Sequence, residues 1–233
     1  MNIIEVKNLT YTYPDGTLAV DNISFSVREN QTLCIIGPNG AGKTTLLLCL
    51  VGVLRYRGEI KIFGETLNYK NGGDIRKNIG FLFQNPDDQL FMPTVFEDVA
   101  FAAKEFKYKE EDVEKLTNEA LKKVGLEGYK NRLSHHLSYG EKKKVALASS
   151  LVLNPKILIL DEPTSNFDPA TRREFIELIK SLICTKIIAT HDLDMVEKIA
   201  DSVILINNGK KLKEAKPSEI LDDKELLTQN RLI

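Results

Sequence analysis

No stretch of this sequence is apolar for long. The longest run, Leu46–Leu54 (LLLCLVGVL), has nine residues, less than half of the roughly 20 that a helix needs to cross a bilayer, so no transmembrane span is expected. The N-terminus, MNIIEVKNLTYTY, lacks a basic segment followed by an apolar one, which argues against a signal peptide. Cysteine is scarce. Cys34, Cys49 and Cys184 are scattered within apolar segments; no metal-ligand spacing connects them, and an odd number of buried thiols suits a reducing compartment. Neither sign of charge dominates. Lys and Arg number 32 against 33 Asp and Glu, a net charge of −1, so electrostatics give no reason to expect a nucleic-acid partner. There is no repeat of fixed period and no low-complexity tract.

What is present is an ordinary globular balance, 42% hydrophobic and 28% charged over 233 residues, enough for one large domain or a core with one lobe. The first thirty residues alternate, IIEVKNLTYTY then VDNISFSVREN, and predict antiparallel strands joined by a turn at Pro14–Gly16. TLCIIG is a continuous apolar run, as in a buried strand, followed by a Gly-rich loop and a helix from about Lys43 to Val53. GEIKIFGE and NIGFLFQ return to strand character. From Pro93 to Val124 the pattern is helical, with Val113, Leu116, Ala120 and Val124 on one face and a stop at Gly125. Another helix runs from Gly140 to about Leu153. KILILDEP, ATRREFIELIKSL, TKIIATHD, LDMVEKIA and SVILINNG then alternate strand with helix, which indicates a parallel sheet covered by helices. The expected organisation is one domain: a core from 1–83 and 150–233 that includes an antiparallel β subdomain, interrupted by a helical subdomain over 84–149.

GPNGAGKTT, from Gly37 through Pro38, Asn39, Gly40, Ala41, Gly42, Lys43 and Thr44 to Thr45, fits the phosphate-binding pattern G-x-x-x-x-G-K-[ST], with strand before and helix after. Its glycines let successive backbone N–H groups turn inward around an anion, and the helix N-terminus adds its dipole. Lys43 brings charge to the β- and γ-phosphates and Thr44 a hydroxyl to Mg²⁺. A Gly-rich packing turn would not need Lys-Thr at this offset. ILILDEP ends a buried strand on two acids. Asp161 suits the strand-end support of Mg²⁺, and Glu162 suits orientation or deprotonation of an attacking water; DEP alone is also a good helix start. His191, in IIATHD, ends another strand, where active groups gather in parallel sheets, and can donate a hydrogen bond to a γ-phosphate oxygen. In HHLSYGEKKK, Ser138 and Glu141 form a capping box, and the same turn is a candidate anion site for a nucleotide held by a second chain. Lys142, Lys143 and Lys144 read as a solvated helix face.

Taken in order, these motifs resemble the nucleotide-binding subunits of ATP-binding cassette (ABC) transporters. The resemblance rests on Tyr13, GPNGAGKTT, Gln84, LSYGE, ILILDEP, SNFD (Ser165–Asp168) and His191, and implies an α/β P-loop NTPase fold of the ABC-ATPase type that binds ATP and Mg²⁺. It also implies that Tyr13 stacks on adenine, that Gln84 reaches Mg²⁺ and the water, that Ser138, Gly140 and Glu141 meet the γ-phosphate across a head-to-tail dimer, and that Asp168 ties the two sites together. LSYGE departs from the family's LSGGQ: Tyr139 replaces a glycine, so no left-handed backbone is expected there, and Glu141 places a carboxylate near an anion site. QNPDDQLF followed by TVFEDVAF is similar to the ATPases of energy-coupling factor importers, which serve cobalt, nickel or vitamin uptake. That resemblance implies a transmembrane coupling protein, a substrate-binding membrane protein and a second ATPase, identical or paralogous, with this chain peripheral at the cytoplasmic face of the membrane. On it, Gln84 faces metal and water, and Asn85–Phe91 face the membrane partner with Gln89 at the hinge; Asp87 and Asp88 as solvated turn formers is the plainer reading. The alternative function is a soluble ABC ATPase such as one serving iron–sulfur cluster assembly.

Overall fold

A computed structural model describes every residue from Met1 to Ile233. The chain forms two compact units, one of Met1–Arg76 with Ile183–Ile233 and one of Lys77–Leu182.

In the first unit, β1 (Asn2–Thr12) and β2 (Leu18–Arg28) form the expected hairpin. Gly16 N donates to Tyr13 O and Tyr13 N to Thr17 O, closing the turn. β3 (Thr32–Ile36) is buried along its whole length. α1 (Lys43–Leu50) is three residues shorter than its pattern, because Gly52 takes φ +68° and ends the last turn. β4 (Arg57–Ile62) and β5 (Glu65–Thr66) turn at Phe63 and Gly64, both left-handed, and complete an antiparallel sheet in the order β2-β1-β4-β5. α2 (Gly72–Arg76) closes this segment.

The second unit begins with β6 (Ile79–Leu82). The helical stretch after it is two helices, α3 (Val95–Glu105) and α4 (Glu110–Lys123), because Lys107 takes φ +58° between them. Thr94 and Glu97 make a capping box at the start of α3. Ala100, Ala103 and Val113 form the core where these helices pack, covered by Phe96, Leu116 and Leu153. α5 (Tyr139–Leu151) follows, then β7 (Ile157–Asp161), parallel to β6, then α6 (Pro169–Ser181). Asp168 caps α6, accepting from Ala170 N and Thr171 N; the Thr171 hydroxyl, then these backbone bonds, hold its carboxyl below the usual carboxylate range.

The chain then returns to the first unit with β8 (Thr185–Ala189), α7 (Leu193–Ile199), β9 (Ser202–Asn207), β10 (Lys210–Ala215), α8 (Pro217–Leu221) and α9 (Lys224–Gln229). β3 lies between β8 and β9, parallel to both, with Cys34 opposite Ile188 and Val203. The β9–β10 hairpin at Asn208-Gly209 and the two short last helices carry no strong periodic signal and were not read from the sequence. None of the three cysteines forms a disulfide, and all are buried. Burial pushes the Cys34 thiol far up and the Cys49 thiol up to about 12, as expected of structural rather than reactive thiols.

Candidate nucleotide site

The phosphate loop leaves the buried end of β3 at Gly37 and enters α1 at Lys43. A Cβ on Gly37 would stand 2.2 Å from Ile206 O, and one on Gly42, 2.1 Å from Ala19 O. Only glycine fits at either position, and Gly42 at φ +98° also needs the left-handed region. The back of the loop is thus packed on β2 and β9, and its other face is backbone. Ala41 N bonds Pro38 O, which tightens the curve, and Asn39 and Gly40 are exposed at its rim. Lys43 is buried and bends back so that Nζ donates to Gly37 O at 2.7 Å and Pro38 O at 3.2 Å. A cationic head held against a glycine-rich loop at a helix N-terminus fits a polyphosphate. Thr44 is exposed, whereas Thr45 is buried and its hydroxyl lies 2.9 Å from Tyr13 Oη. Tyr13 also packs edge-on against Tyr11 at 4.9 Å, so its ring is fixed beside the loop and stays partly open to solvent. The register sets Ile35 against Ala189, and Thr190 N donates to Ile35 O. Gly37 and the exposed His191 therefore leave the sheet at one edge, the carboxyl end of its parallel strands.

In the second unit β6 and β7 run in register, Leu82 opposite Leu160, so Gln84 and Glu162 also emerge at one end. Gln84 is exposed; Asp161 and Glu162 are buried. Glu162 is left-handed, at φ +42°, which is uncommon for a residue with a side chain. Its carbonyl accepts from Ser165 Oγ at 2.9 Å and from Ser165 N at 3.3 Å.

The segment LSYGE is a capping box. Ser138 Oγ accepts from Glu141 N, while Glu141 Oε2 accepts from Ser138 N and Ser138 Oγ, both at 2.8 Å. Tyr129 Oη donates to the other carboxylate oxygen at 2.8 Å. The Ser138 N–H, then the Tyr129 hydroxyl, hold the Glu141 carboxyl below the ordinary value, so its charge is already engaged at its own helix start. Tyr139 sits in the first turn of α5 without positive φ, as expected of a tyrosine in place of glycine. Gly140 faces Thr171, whose Cγ2 would lie 3.4 Å from an added Cβ.

The reading of Lys142–Lys144 as a solvated face is corrected at its middle residue. Lys142 pairs with Asp87 at 2.7 Å and Lys144 with Glu174 at 3.8 Å, both partly exposed. Lys143 is buried completely and donates to Phe83 O, Gln84 O and Glu162 O. Burial lowers its pKa to about 8, against the opposing pull of Asp161 and Glu162. The signal was the apolar run Val145–Ala148 just after it: three consecutive residues span about 200° of a helix, so a helix with a buried face does not keep all three lysines on its polar side.

Gln89, expected at the hinge of this loop, hydrogen-bonds there. It points inward: Oε1 accepts from Phe83 N at 3.1 Å, and Nε2 lies 2.8 Å from Ala146 O and 2.9 Å from Ser149 Oγ. An amide has both a donor and an acceptor, and here they clip the end of β6 to α5. Asp98, not singled out from the sequence, accepts from Phe91 N and Met92 N, both at 2.9 Å, and from Ser134 Oγ, and so holds the far end of this loop. Gln89→Ala is therefore expected to lower the stability of the folded chain by about 1–3 kcal/mol, since buried groups lose their partner; a chemical-denaturation midpoint unchanged from that of the unsubstituted chain refutes this.

Residues 20–165 match the family described as ABC transporter. The energy-coupling factor transporter ATP-binding protein EcfA of Methanocaldococcus jannaschii is 44% identical, covering 100% of this chain and 85% of that protein. Its namesake in Methanothermobacter thermautotrophicus is 44% identical, covering 99% and 76%. Among solved structures, cbiO1 from Clostridium perfringens, part of the ABC transporter complex cbiONQ, superposes with a TM-score of 0.86 at 38% identity, covering 99% of this chain and 95% of that one. The ATP-binding cassette MJ0796, a dimer in a post-hydrolysis state bound to ADP and Pi, gives 0.83 at 29% identity over 92% and 98%.

Proposed function

The chain belongs to the ABC transporter family of ATP-binding proteins and is an ATPase, and from that premise we propose that it powers import of a small solute, a cobalt or nickel ion or a vitamin, through a separate transmembrane coupling protein. The observation that carries this reading is the phosphate loop with Lys43 folded back onto its Gly37 and Pro38 carbonyls, on a chain 44% identical to proteins named for energy-coupling factor transport. The iron–sulfur assembly alternative has no such support. No helix is long and apolar enough to cross a membrane, in keeping with a peripheral subunit at the cytoplasmic face that borrows its membrane path from a partner.

In this reading Gly37–Thr45 and Lys43 bind the phosphates of ATP, and Tyr13 stacks on adenine. Thr44, Asp161 and Gln84 are the oxygen ligands suited to Mg²⁺, a hard cation, which when bound neutralises charge on the transferring phosphoryl group. Glu162 accepts a proton from the attacking water. His191 donates to a γ-phosphate oxygen. Ser138, Gly140 and Glu141 meet the nucleotide of a second ATPase subunit, and Asp168 lies at the junction of the two. Glu141, already bonded to Ser138 and Tyr129, keeps the turn in shape and leaves its amides to the phosphate.

The loop beside Gln84 offers a surface for the coupling protein. Asp87, Leu90, Phe91, Met92, His135 and Lys142 line an open groove of about 330 Å³. Phe91 is 64% exposed and Asp87 is on the surface. Asp87, although paired with Lys142, and the neighbouring exposed Asp88 put carboxylates next to an exposed aromatic, which suits a short basic, amphipathic helix, and cytoplasmic loops of membrane proteins are rich in Lys and Arg. Reversing both charges, Asp87→Lys with Asp88→Lys, is expected to leave ATP affinity unchanged and to weaken recovery with an affinity-tagged coupling protein by about tenfold. Undiminished recovery removes the acids from the interface, and no recovery with any energy-coupling protein by the unsubstituted chain removes the transport reading.

A further inference from the structure

Lys143 is the largest fully buried side chain that carries a charge. A buried ammonium is costly unless every donor is satisfied, and three donors are what lysine has. All three of its acceptors are backbone carbonyls, Phe83 O at 3.1 Å, Gln84 O, and Glu162 O at 3.4 Å. The first two lie at the end of β6 and the third at the end of β7, two neighbouring parallel strands whose chains leave the sheet there. Nothing about packing a helix against apolar neighbours calls for this residue; a methionine has the same reach without the charge. What the ammonium supplies is a tie between two strand ends.

Those ends carry the groups that matter most in the hydrolysis reading. Glu162 is left-handed, a conformation a side-chain-bearing residue keeps only where its surroundings enforce it. Its carbonyl is held by the hydroxyl and amide of Ser165 in its own turn, and by Lys143 from α5. Turning that peptide would swing the carboxylate of Glu162 with it. Tyr139, one helical turn before Lys143 and on the same face, donates its hydroxyl to the Gln84 carbonyl at 3.3 Å. Its ring meets Phe167 edge-on at 6.0 Å, and Phe167 meets Phe175 at 5.2 Å. Glycine at position 139 would have neither hydroxyl nor ring.

We propose that Lys143 is a positioning residue for ATP hydrolysis: its ammonium fastens the Glu162 peptide to the Phe83–Gln84 strand end, and so aims the Glu162 carboxylate, with Tyr139 bracing the Gln84 side. The proposal rests on the reading of Glu162 as the group that receives the water's proton. A displacement of about 1 Å at a reacting group can cost a hundredfold in rate, so loss of the tie lowers the chemical step and leaves nucleotide affinity alone.

The test compares Lys143→Met, Lys143→Arg, Tyr139→Phe and Glu162→Gln with the unsubstituted chain, in the assembly in which that chain hydrolyses ATP. Nucleotide affinity, thermal midpoint and the single-turnover rate are read for each. Lys143→Met is expected to bind ATP within about threefold of the unsubstituted chain and to hydrolyse it at least about tenfold more slowly, with Lys143→Arg recovering most of the rate and Tyr139→Phe losing about two- to fivefold. A folded Lys143→Met that hydrolyses at the full rate overturns the proposal, as does a rate loss that merely follows lost affinity. Should Lys143→Met not fold, Lys143→Gln, which keeps a polar head but loses the ammonium, takes its place; a folded Lys143→Gln with a full single-turnover rate overturns the proposal equally. Glu162→Gln separates this from its premise: full hydrolysis by that variant rejects the base assignment, while a slow Glu162→Gln beside a full-rate Lys143→Met rejects only the tie.

Discussion

Glu162→Gln is expected to bind ATP within about twofold of the unsubstituted chain and to hydrolyse it about 10²–10⁴ times more slowly in a single turnover, the contribution of a positioned general base. The substitution keeps shape and hydrogen-bonding capacity but an amide does not take up the proton. Glu162 is buried in a left-handed turn whose carbonyl is bonded by Ser165 and Lys143, and these backbone bonds are kept in the variant. With ATP bound and unspent, the variant should also run as a dimer on size exclusion. If it stays monomeric at every concentration, the second ATPase is a different chain. Full turnover by Glu162→Gln rejects the assignment.

Lys43→Ala is expected to weaken ATP binding by about 10- to 150-fold, the value of a hydrogen bond to a charged group at roughly 1.5–3 kcal/mol. Two losses combine. The phosphates lose their cation, and the loop loses the donor that draws the Gly37 and Pro38 carbonyls inward. A fluorescent nucleotide titration reads the first. A thermal midpoint without nucleotide reads the second, and should fall little, since Gly37 and Gly42 are wedged against Ile206 and Ala19 regardless of Lys43. Affinity retained in the variant rejects the phosphate role.

Much of this was legible in the sequence because it is written locally. A strand that ends on Gly37, a helix that begins at Lys43, and a Ser138–Glu141 capping box depend on residues within a few positions of each other. The split of the helical stretch at Lys107 was not legible, since a lone lysine in the left-handed region looks like any other. Lys143 was misread, and the inward partners of Gln89 were not foreseen, for a common reason. Their types favour the surface on average, and what overrides that average is a partner about 60 residues away in the chain, Ala146 for the one and Phe83 for the other. Polar residues recruited into the interior to bond backbone at the ends of strands leave no periodic trace. Asp98 escaped notice likewise: within TVFEDVAF it looks like a helix-start acid, and only the fold brings the Phe91 and Met92 amides to it.

The three thiols bear on how this machine can be watched. Cys34, Cys49 and Cys184 are all outside disulfides and buried, and burial raises the Cys34 and Cys49 thiols further above neutral pH, whereas alkylating reagents attack the thiolate. The native chain is thus already a quiet background for thiol chemistry. A cysteine introduced at exposed Asp88 or Asn39 can carry a fluorophore or spin label with no prior removal of the natural ones, which sit in β3, in α1 and just before β8, where a smaller side chain would leave a void. Distances between labelled subunits, followed through a single turnover, can then be recorded on a protein whose interior has not been altered to make the measurement.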